Sequence, residues 1–290
     1  ALNAMTLWVH PENKTNTFEV GKQLGLKLAA GAQGSPIRRR AGLFDLTSNN
    51  VLNQWGAAAA MNDKRVLSLG FYHLEGVNAR AKRLAVNASA KAQSLKPSRF
   101  SIATEDYKYS YRIVARNQPI PPKGVRDLMS FITSDEGQEV VAAHGYVDLR
   151  LGVGPPPPAL VKVTIGKVLG RNLKDGDLSR ISTNFRFAVD DARLDLKGQA
   201  DMERLIHLLG RKYPSHQVVI LGFTDSTGNE EANTVLSVRR ANSVVAILKQ
   251  SQVAAQAAGL GESLPVDSNE TELGKARNRR AEIWVVKPKS

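Results

Sequence analysis

Gln217–Leu248 reads QVVILGFTDSTGNEEANTVLSVRRANSVVAIL. It opens on a short, apolar, β-branched run, QVVILGFTD (Gln217–Asp225), which predicts a buried strand. Ser226-Thr227-Gly228-Asn229 supplies a turn, and a long helix is predicted from about Glu230 to Gln250, burying Ala241, Val244, Val245 and Leu248. On that helix Asn233, Ser237 and Arg240 stand at i, i+4 and i+7, hence on one face, with the outer two roughly 10 Å apart at about 1.5 Å per residue. Asp225 precedes the helix start. A carboxylate, the open amides of a helix terminus and a guanidinium can therefore converge on a small zwitterion, the acid taking an ammonium and the arginine forking a carboxylate. Each residue alone has a plainer reading: Asp225 as a turn cap, Arg240 as a solvated helix charge.

Working outward, strands and helices alternate. Ile181–Val189 reads as a strand, and Lys197–Tyr213 as a helix with Met202, Leu205 and Leu209 on one stripe, ended by Pro214. After the long helix, VAAQAAGLG is a further strand candidate. NETELGKARNRR gives a short helix starting after Ser268 or Asn269, and Ala281–Val286 gives a closing strand. The order βαβαβαβ with short connections predicts a two-layer α/β sandwich over residues 180–290. Upstream, Gly152–Pro158 (GVGPPPP) holds four consecutive prolines and reads as an inter-domain linker. The ALVKVTIGKVLG run behind it reads as an approach strand, with a turn at Lys174–Asp177. Residues 151–179 are thus a proline-rich linker and lead-in.

Residues 1–150 form a separate mixed α/β region. Strands are predicted near Met5–His10, Val66–Tyr72, Arg83–Val86 and Tyr109–Ala115. Helices are predicted near Phe18–Ala30, Asn49–Met61, Gly124–Ile132 and Glu136–His144. Two domains suit a length of 290 residues, and each is large enough to bury its own core. The chain opens ALNAMTLWVHPENK, already strand-like and without the pattern of an export signal, so a signal and further residues are expected upstream of Ala1. No run of eighteen apolar residues occurs, so no transmembrane segment is expected.

The formal net charge is +13, and residues 1–150 contribute most of it, with 20 Lys and Arg against 12 Asp and Glu. A basic surface suits nucleic acid, anionic lipid or acidic wall polymers. Aromatics at 6% and the lack of a zinc-finger, helix-turn-helix or RNP pattern turn the reading away from nucleic acid. The triplet Arg38-Arg39-Arg40 reads as a solvated loop edge. There are no cysteines, which removes disulfides, zinc–thiolate sites and cysteine nucleophiles. His207 and His216 have no metal-ligand or nucleophile partner at useful spacing, so neither metal, cofactor nor enzymatic chemistry is expected.

The string GFTDSTGNEEANTVLSVRRANSVVAIL, followed by GLGESLPVDSNETELGKARNRRAEIWV, closely resembles the OmpA-like (OmpA/MotB) peptidoglycan-binding family over about a hundred residues. The shared pattern is a strand ending in Thr-Asp, a Gly turn, Asn-x-x-Leu-Ser-x-x-Arg-Ala, then Gly-x-Gly, a Pro and Asn-Arg-Arg before the last strand. The resemblance implies reversible, non-covalent anchoring of a periplasmic envelope protein to the wall through the meso-diaminopimelate of the peptide stem, with an outer-membrane association also in view. It assigns the ligand's amino and carboxylate groups to Asp225 and Arg240, with Asn233 on the helix and Thr224, Thr227 and Gly228 in the loop. It also marks Asn278, Arg279 and Arg280. For the two arginines, contact with glycan or stem carboxylates and pairing with acids beside the closing strand stand as equal readings.

TLWVHPENKTNTFEVGKQL, RVLSLGFYHLEGVNARAKRLAV, PSRFSIATEDYKYSYRIVARN and GVRDLMSFITSDEGQEVVAAHGYVDL resemble the second half of phosphate-binding periplasmic solute-binding proteins fused to an OmpA-like tail. This implies an incomplete periplasmic-binding-protein-like lobe. The family's Ser-Gly-Thr anion loop aligns with Thr15, Asn16 and Thr17, where Asn16 replaces the glycine and Glu12 would repel an anion, so the residues argue against phosphate. Thr15 reads better as the N-cap of a helix starting near Phe18. The alternative function, a periplasmic phosphate or anion receptor localised by its tail, is kept beside the wall anchor. An unidentified protein partner of the basic first domain is kept as well.

Overall fold

The structure is a computed structural model that describes residues 1–9, 11–12, 17–19, 68–75, 80–187 and 196–289. The chain divides into two compact units, one of residues 1–102 and 106–149, the other of residues 103–105 and 150–290.

The first unit is built on β1 (Leu2–Val9), with β2 (Thr17–Glu19), β3 (Ser68–Phe71), the single turn α1 (Tyr72–Glu75), β4 (Lys82–Arg83), β5 (Ala85–Asn87) and β6 (Ser94–Leu95) following. Then come α2 (Arg99–Ala103), β7 (Ser110–Arg112), α3 (Lys123–Thr133) and α4 (Asp135–Ala143). β1 pairs antiparallel with β3, β4 and β7, and β2-β5-β6 form a second small sheet. Trp8, Leu84, Ile102 and Tyr107 are fully enclosed. The helix expected from Phe18 does not begin there: Thr17-Phe18-Glu19 is extended and pairs parallel with Ala85-Val86-Asn87, as an aromatic flanked by a β-branched residue favours. Thr17 is therefore a strand residue, and Thr15 and Asn16 lie outside the described residues, as do the Arg38–Arg40 triplet and the helix expected at Asn49–Met61.

The second unit holds α5 (Ala159–Val168), β8 (Leu178–Arg186), α6 (Leu196–Lys212), β9 (Gln217–Gly222), α7 (Glu230–Gln250), β10 (Ala255–Gly259), α8 (Glu272–Asn278) and β11 (Arg280–Val286). Its sheet runs β10-β9-β11-β8; β10 and β9 are parallel, and β11 is antiparallel to both its neighbours. On one face Ile181, Phe185, Ile220, Ile283 and Val285 pack with Met202, Leu205 and Leu209 of α6 and with Ala241, Val244 and Leu248 of α7. Emptying such a position, for example Leu205→Ala, removes about 2–5 kcal/mol.

The two-layer expectation is corrected by the other face. Val219, Leu221, Phe223, Trp284 and Val286 point away from α6 and α7 and are covered by Val161 and Ile165 of α5, with Leu173. Because β9 and β11 are apolar on both sides, both sides must be covered. The approach strand expected at ALVKVTIGKV is thus a helix. Pro158 stands at its N-cap, and Gly170, at φ +62°, closes it through the bonds Gly170 N to Lys167 O (3.3 Å) and Arg171 N to Gly166 O (3.0 Å). Gly152–Gly154 also lies against β8, through Ser182 N to Gly152 O (2.9 Å), Gly154 N to Arg180 O (2.8 Å) and a bridge from Val153 to Ile181.

Two glycines set the position of α7. A Cβ on Gly222 would sit 1.9 Å from Ser237 O, and one on Gly259 would sit 2.1 Å from Ser237 Oγ. The helix therefore lies directly on the ends of β9 and β10, and its Asn233–Ser237–Arg240 face is turned toward the loop that follows β9.

Candidate functional site

The long helix α7 begins where its capping chemistry dictates. Asn229 accepts from Ala232 N at 2.7 Å, and Glu230 and Glu231 occupy the first turn. Asn233, Ser237 and Arg240 are all buried, as their shared face requires. Ser237 does structural work: its hydroxyl donates to Thr234 O (2.7 Å) and accepts from Gly261 N (3.0 Å), fixing the loop after β10.

That face looks onto a cavity of about 190 Å³ lined by Asp225, Thr227, Asn233, Leu236, Arg240, Glu272, Lys275 and Arg279. Asp225 is held from two sides, its Oδ1 accepting from Thr227 N (2.9 Å) and its Oδ2 from Arg279 Nη1 (2.7 Å). Burial pushes its carboxyl up, but the Arg279 hydrogen bond, the Thr227 hydrogen bonds and the Arg279 charge outweigh it, so the acid is held below the usual carboxylate range. Each carboxylate oxygen has two lone pairs, so these bonds leave Asp225 able to accept more. Arg240 donates to Phe223 O (3.3 Å) and lies 5.6 Å from the centre of the Phe187 ring. Asn233 donates to Glu262 (3.2 Å).

Of the residues singled out in the sequence, the fold brings Asp225, Thr227, Asn233, Arg240 and Arg279 together around the cavity. Thr224, Gly228 and Arg280 do not line it, nor do Ser237 and Asn278. Thr224 bonds through its backbone N to Gly261 O (2.8 Å), and its hydroxyl is buried without a partner among the described residues. Gly228, at φ +92°, makes the turn into α7. Arg280 belongs to the opposite face of the sheet. It lies 3.8 Å from the centre of the Phe223 ring, pairs with Glu282 (2.8 Å) and donates to Leu264 O (3.1 Å). Arg279, meanwhile, pairs with an acid and edges the cavity at once.

Asn278 acts at a distance. Its side chain accepts from Val266 N (2.9 Å) and Asp267 N (3.1 Å) and donates to Asn269 (2.8 Å), which in turn accepts from Ser226 N (3.3 Å) beside Asp225. The sequence reading held Leu236 only within the Asn-x-x-Leu-Ser pattern, without a contact role, and missed Glu272 and Lys275. For the last two a signal was present: Glu272, Lys275 and Arg279 stand at i, i+3 and i+7 across the short helix α8, the same one-face logic that located Arg240. Among the described residues no His, Cys, Asp and Glu group is disposed to hold a metal ion, and no helix is long and apolar enough to cross a membrane.

Residues 186–279 match the OmpA family. The chain is 37% identical over 114 residues to the probable lipoprotein YiaD of Escherichia coli, covering 38% of this chain and 52% of that one. It is 44% identical over 75 residues to the peptidoglycan-binding protein ArfA of Mycobacterium tuberculosis, covering 25% of this chain and 23% of that one. Among solved structures it is similar to the peptidoglycan-associated lipoprotein of Burkholderia pseudomallei, at 29% identity and a TM-score of 0.33, covering 36% of this chain and 87% of that one. The chain spans about half the length, or less, of these curated relatives. The comparisons lend no support to a phosphate-binding-protein-like first region. The cavity, the loop that shapes it and the family match coincide in one segment: residues 186–279 are an OmpA-like domain.

Proposed function

We propose that this chain binds peptidoglycan non-covalently through the cavity between α7 and α8, anchoring a cell-envelope protein to the wall in the periplasm without making or breaking a bond. The observation that carries the reading is the cavity itself. It sets a carboxylate held ionised, Asp225, and the buried guanidinium of Arg240 around about 190 Å³, room for the end of one amino-acid side chain. The ligand this pairing fits best is the free ammonium and carboxylate of meso-diaminopimelate in a peptide stem, the ammonium on Asp225 and the carboxylate on Arg240. Charge-assisted hydrogen bonds in a half-enclosed site suit a grip that is specific and reversible. Match to a domain whose relatives include a peptidoglycan-binding protein supports the same reading. The two described residues of the expected anion loop region give the anion-receptor alternative no support, since Thr17 lies in a strand and Glu12 is exposed.

The test is co-sedimentation with purified sacculi. Because the net charge of +13 favours nonspecific pelleting, it is run at moderate salt, with a lysine-type wall in parallel. Retention on the diaminopimelate wall and release from the lysine wall is expected. Equal retention on both would remove the zwitterion from the account, and no retention on either would remove wall binding.

A further inference from the structure

The charged side chains that line the cavity are Asp225, Glu272, Arg240, Lys275 and Arg279, and Glu262 stands beside it, accepting from Asn233 at 3.2 Å. Arg279 is committed, since it is buried, pairs with Asp225 at 2.7 Å and donates through Nε to Phe187 O at 3.2 Å. Lys275 is held differently. Its partner is Glu272 at 3.1 Å, and the Glu272 side chain is 80% exposed against 27% for Lys275. An ion pair with one partner in water is weak and readily exchanged. The diaminopimelate end group is neutral overall, so seating it on Asp225 and Arg240 leaves Lys275 at the cavity with only its exposed, readily exchanged partner.

We propose that Lys275 is a specificity-determining residue that takes a second carboxylate of the ligand, beside the ammonium and carboxylate assigned to Asp225 and Arg240. This rests on the wall-binding reading above and deepens it. The ligand class becomes a peptide with one ammonium and two carboxylates close together. In a wall stem that second group is the α-carboxylate left free where glutamate is linked through its side chain to diaminopimelate. On approach the ammonium of Lys275 exchanges Glu272 for this carboxylate, and Glu272 returns to solvent. A stem amidated at that glutamate loses the charge and leaves Lys275 with its weak partner.

The experiment is calorimetry on the full 290-residue chain with two peptides, L-Ala–γ-D-Glu–meso-diaminopimelate and the same peptide amidated at the glutamate α-carboxylate. The wild-type protein is expected to bind the amidated peptide roughly threefold to tenfold more weakly. Lys275→Met is expected to bind both alike, at the weaker affinity. Glu272→Gln, which releases Lys275 from its present partner, is expected to widen the preference. Equal binding of the two peptides by wild type overturns the inference, as does an undiminished preference in Lys275→Met or a lost one in Glu272→Gln. Binding of neither peptide by wild type would defeat the wall-binding reading itself, and this inference with it.

Discussion

Arg279 and Arg280 are consecutive, carry the same charge and are both buried, yet they end on opposite faces of one sheet. Arg279 closes α8, reaches across to Asp225 and borders an open cavity. Arg280 begins β11, lies over Phe223 and shares Glu282 with Arg180, whose Nη2 stands 3.2 Å from the same carboxylate oxygen. Trp284 donates to the other oxygen of Glu282 at 3.2 Å. The chemistry of the two side chains is identical. What separates the two is local: Arg279 borders the cavity, whereas Arg280 is enclosed on the face that α5 covers.

The sharpest way to break this contrast is to remove the sealed acid. Glu282→Ala leaves Arg280 and Arg180 without their shared counter-charge and is expected to cost about 3–5 kcal/mol in urea unfolding. Replacing Arg280 and Glu282 together by apolar residues of similar size is expected to be far milder. A small loss from Glu282→Ala alone would show that the cluster is not a support. On the open side, Asp225→Ala is expected to lower wall affinity by roughly thirtyfold or more, about 2–3 kcal/mol, in quantitative co-sedimentation. Near-wild-type affinity in that variant would argue against a ligand contact.

A pH series sharpens the same comparison. The folded carboxyl of Asp225 is depressed below its unfolded value near 3.9, so its contribution is fully present above that pH and is lost as pH falls through the folded value. Arg279→Met removes the Arg279 hydrogen bond and charge and leaves burial opposed only by the Thr227 hydrogen bonds, so the acid limb of binding should move to higher pH. An unmoved limb would mean that Arg279 does not set the state of Asp225. The smallest expected effect is Thr224→Val. Its hydroxyl is buried without a partner among the described residues, so removing it should change stability by less than about 0.5 kcal/mol and leave binding unaltered. A large loss of binding would bring Thr224 into the site.

Much of the second unit was legible. QVVILG, AEIWVV and the Glu230–Gln250 helix carry their periods and caps openly, and the spacing of Asn233 and Arg240 placed both on the face that lines the cavity. The error at α5 has a physical source. Val161, Val163 and Ile165 alternate with Lys162 and Thr164 as in a strand, but Val161 and Ile165 are also one helical turn apart, and the uncovered face of β9 and β11 selects the helix. The unbroken apolar run of β9 already required a second cover. Arg280 could not be told from Arg279 because the assignment depends on where the chain turns from helix into strand, a boundary that local pattern places poorly. At β2, Thr17-Phe18-Glu19 was read as a helix start, whereas its strand state is set by pairing with Ala85–Asn87, about seventy residues away.

The most direct measurement compares Asp225→Asn and Glu282→Gln against wild type by calorimetry with a meso-diaminopimelate stem peptide, after each is shown to be folded. Both remove one buried negative charge at nearly constant volume, on opposite faces of the sheet. Asp225→Asn is expected to lose affinity while Glu282→Gln, though less stable, keeps it. Wild-type affinity in Asp225→Asn, or an equal loss in both variants, would contradict this.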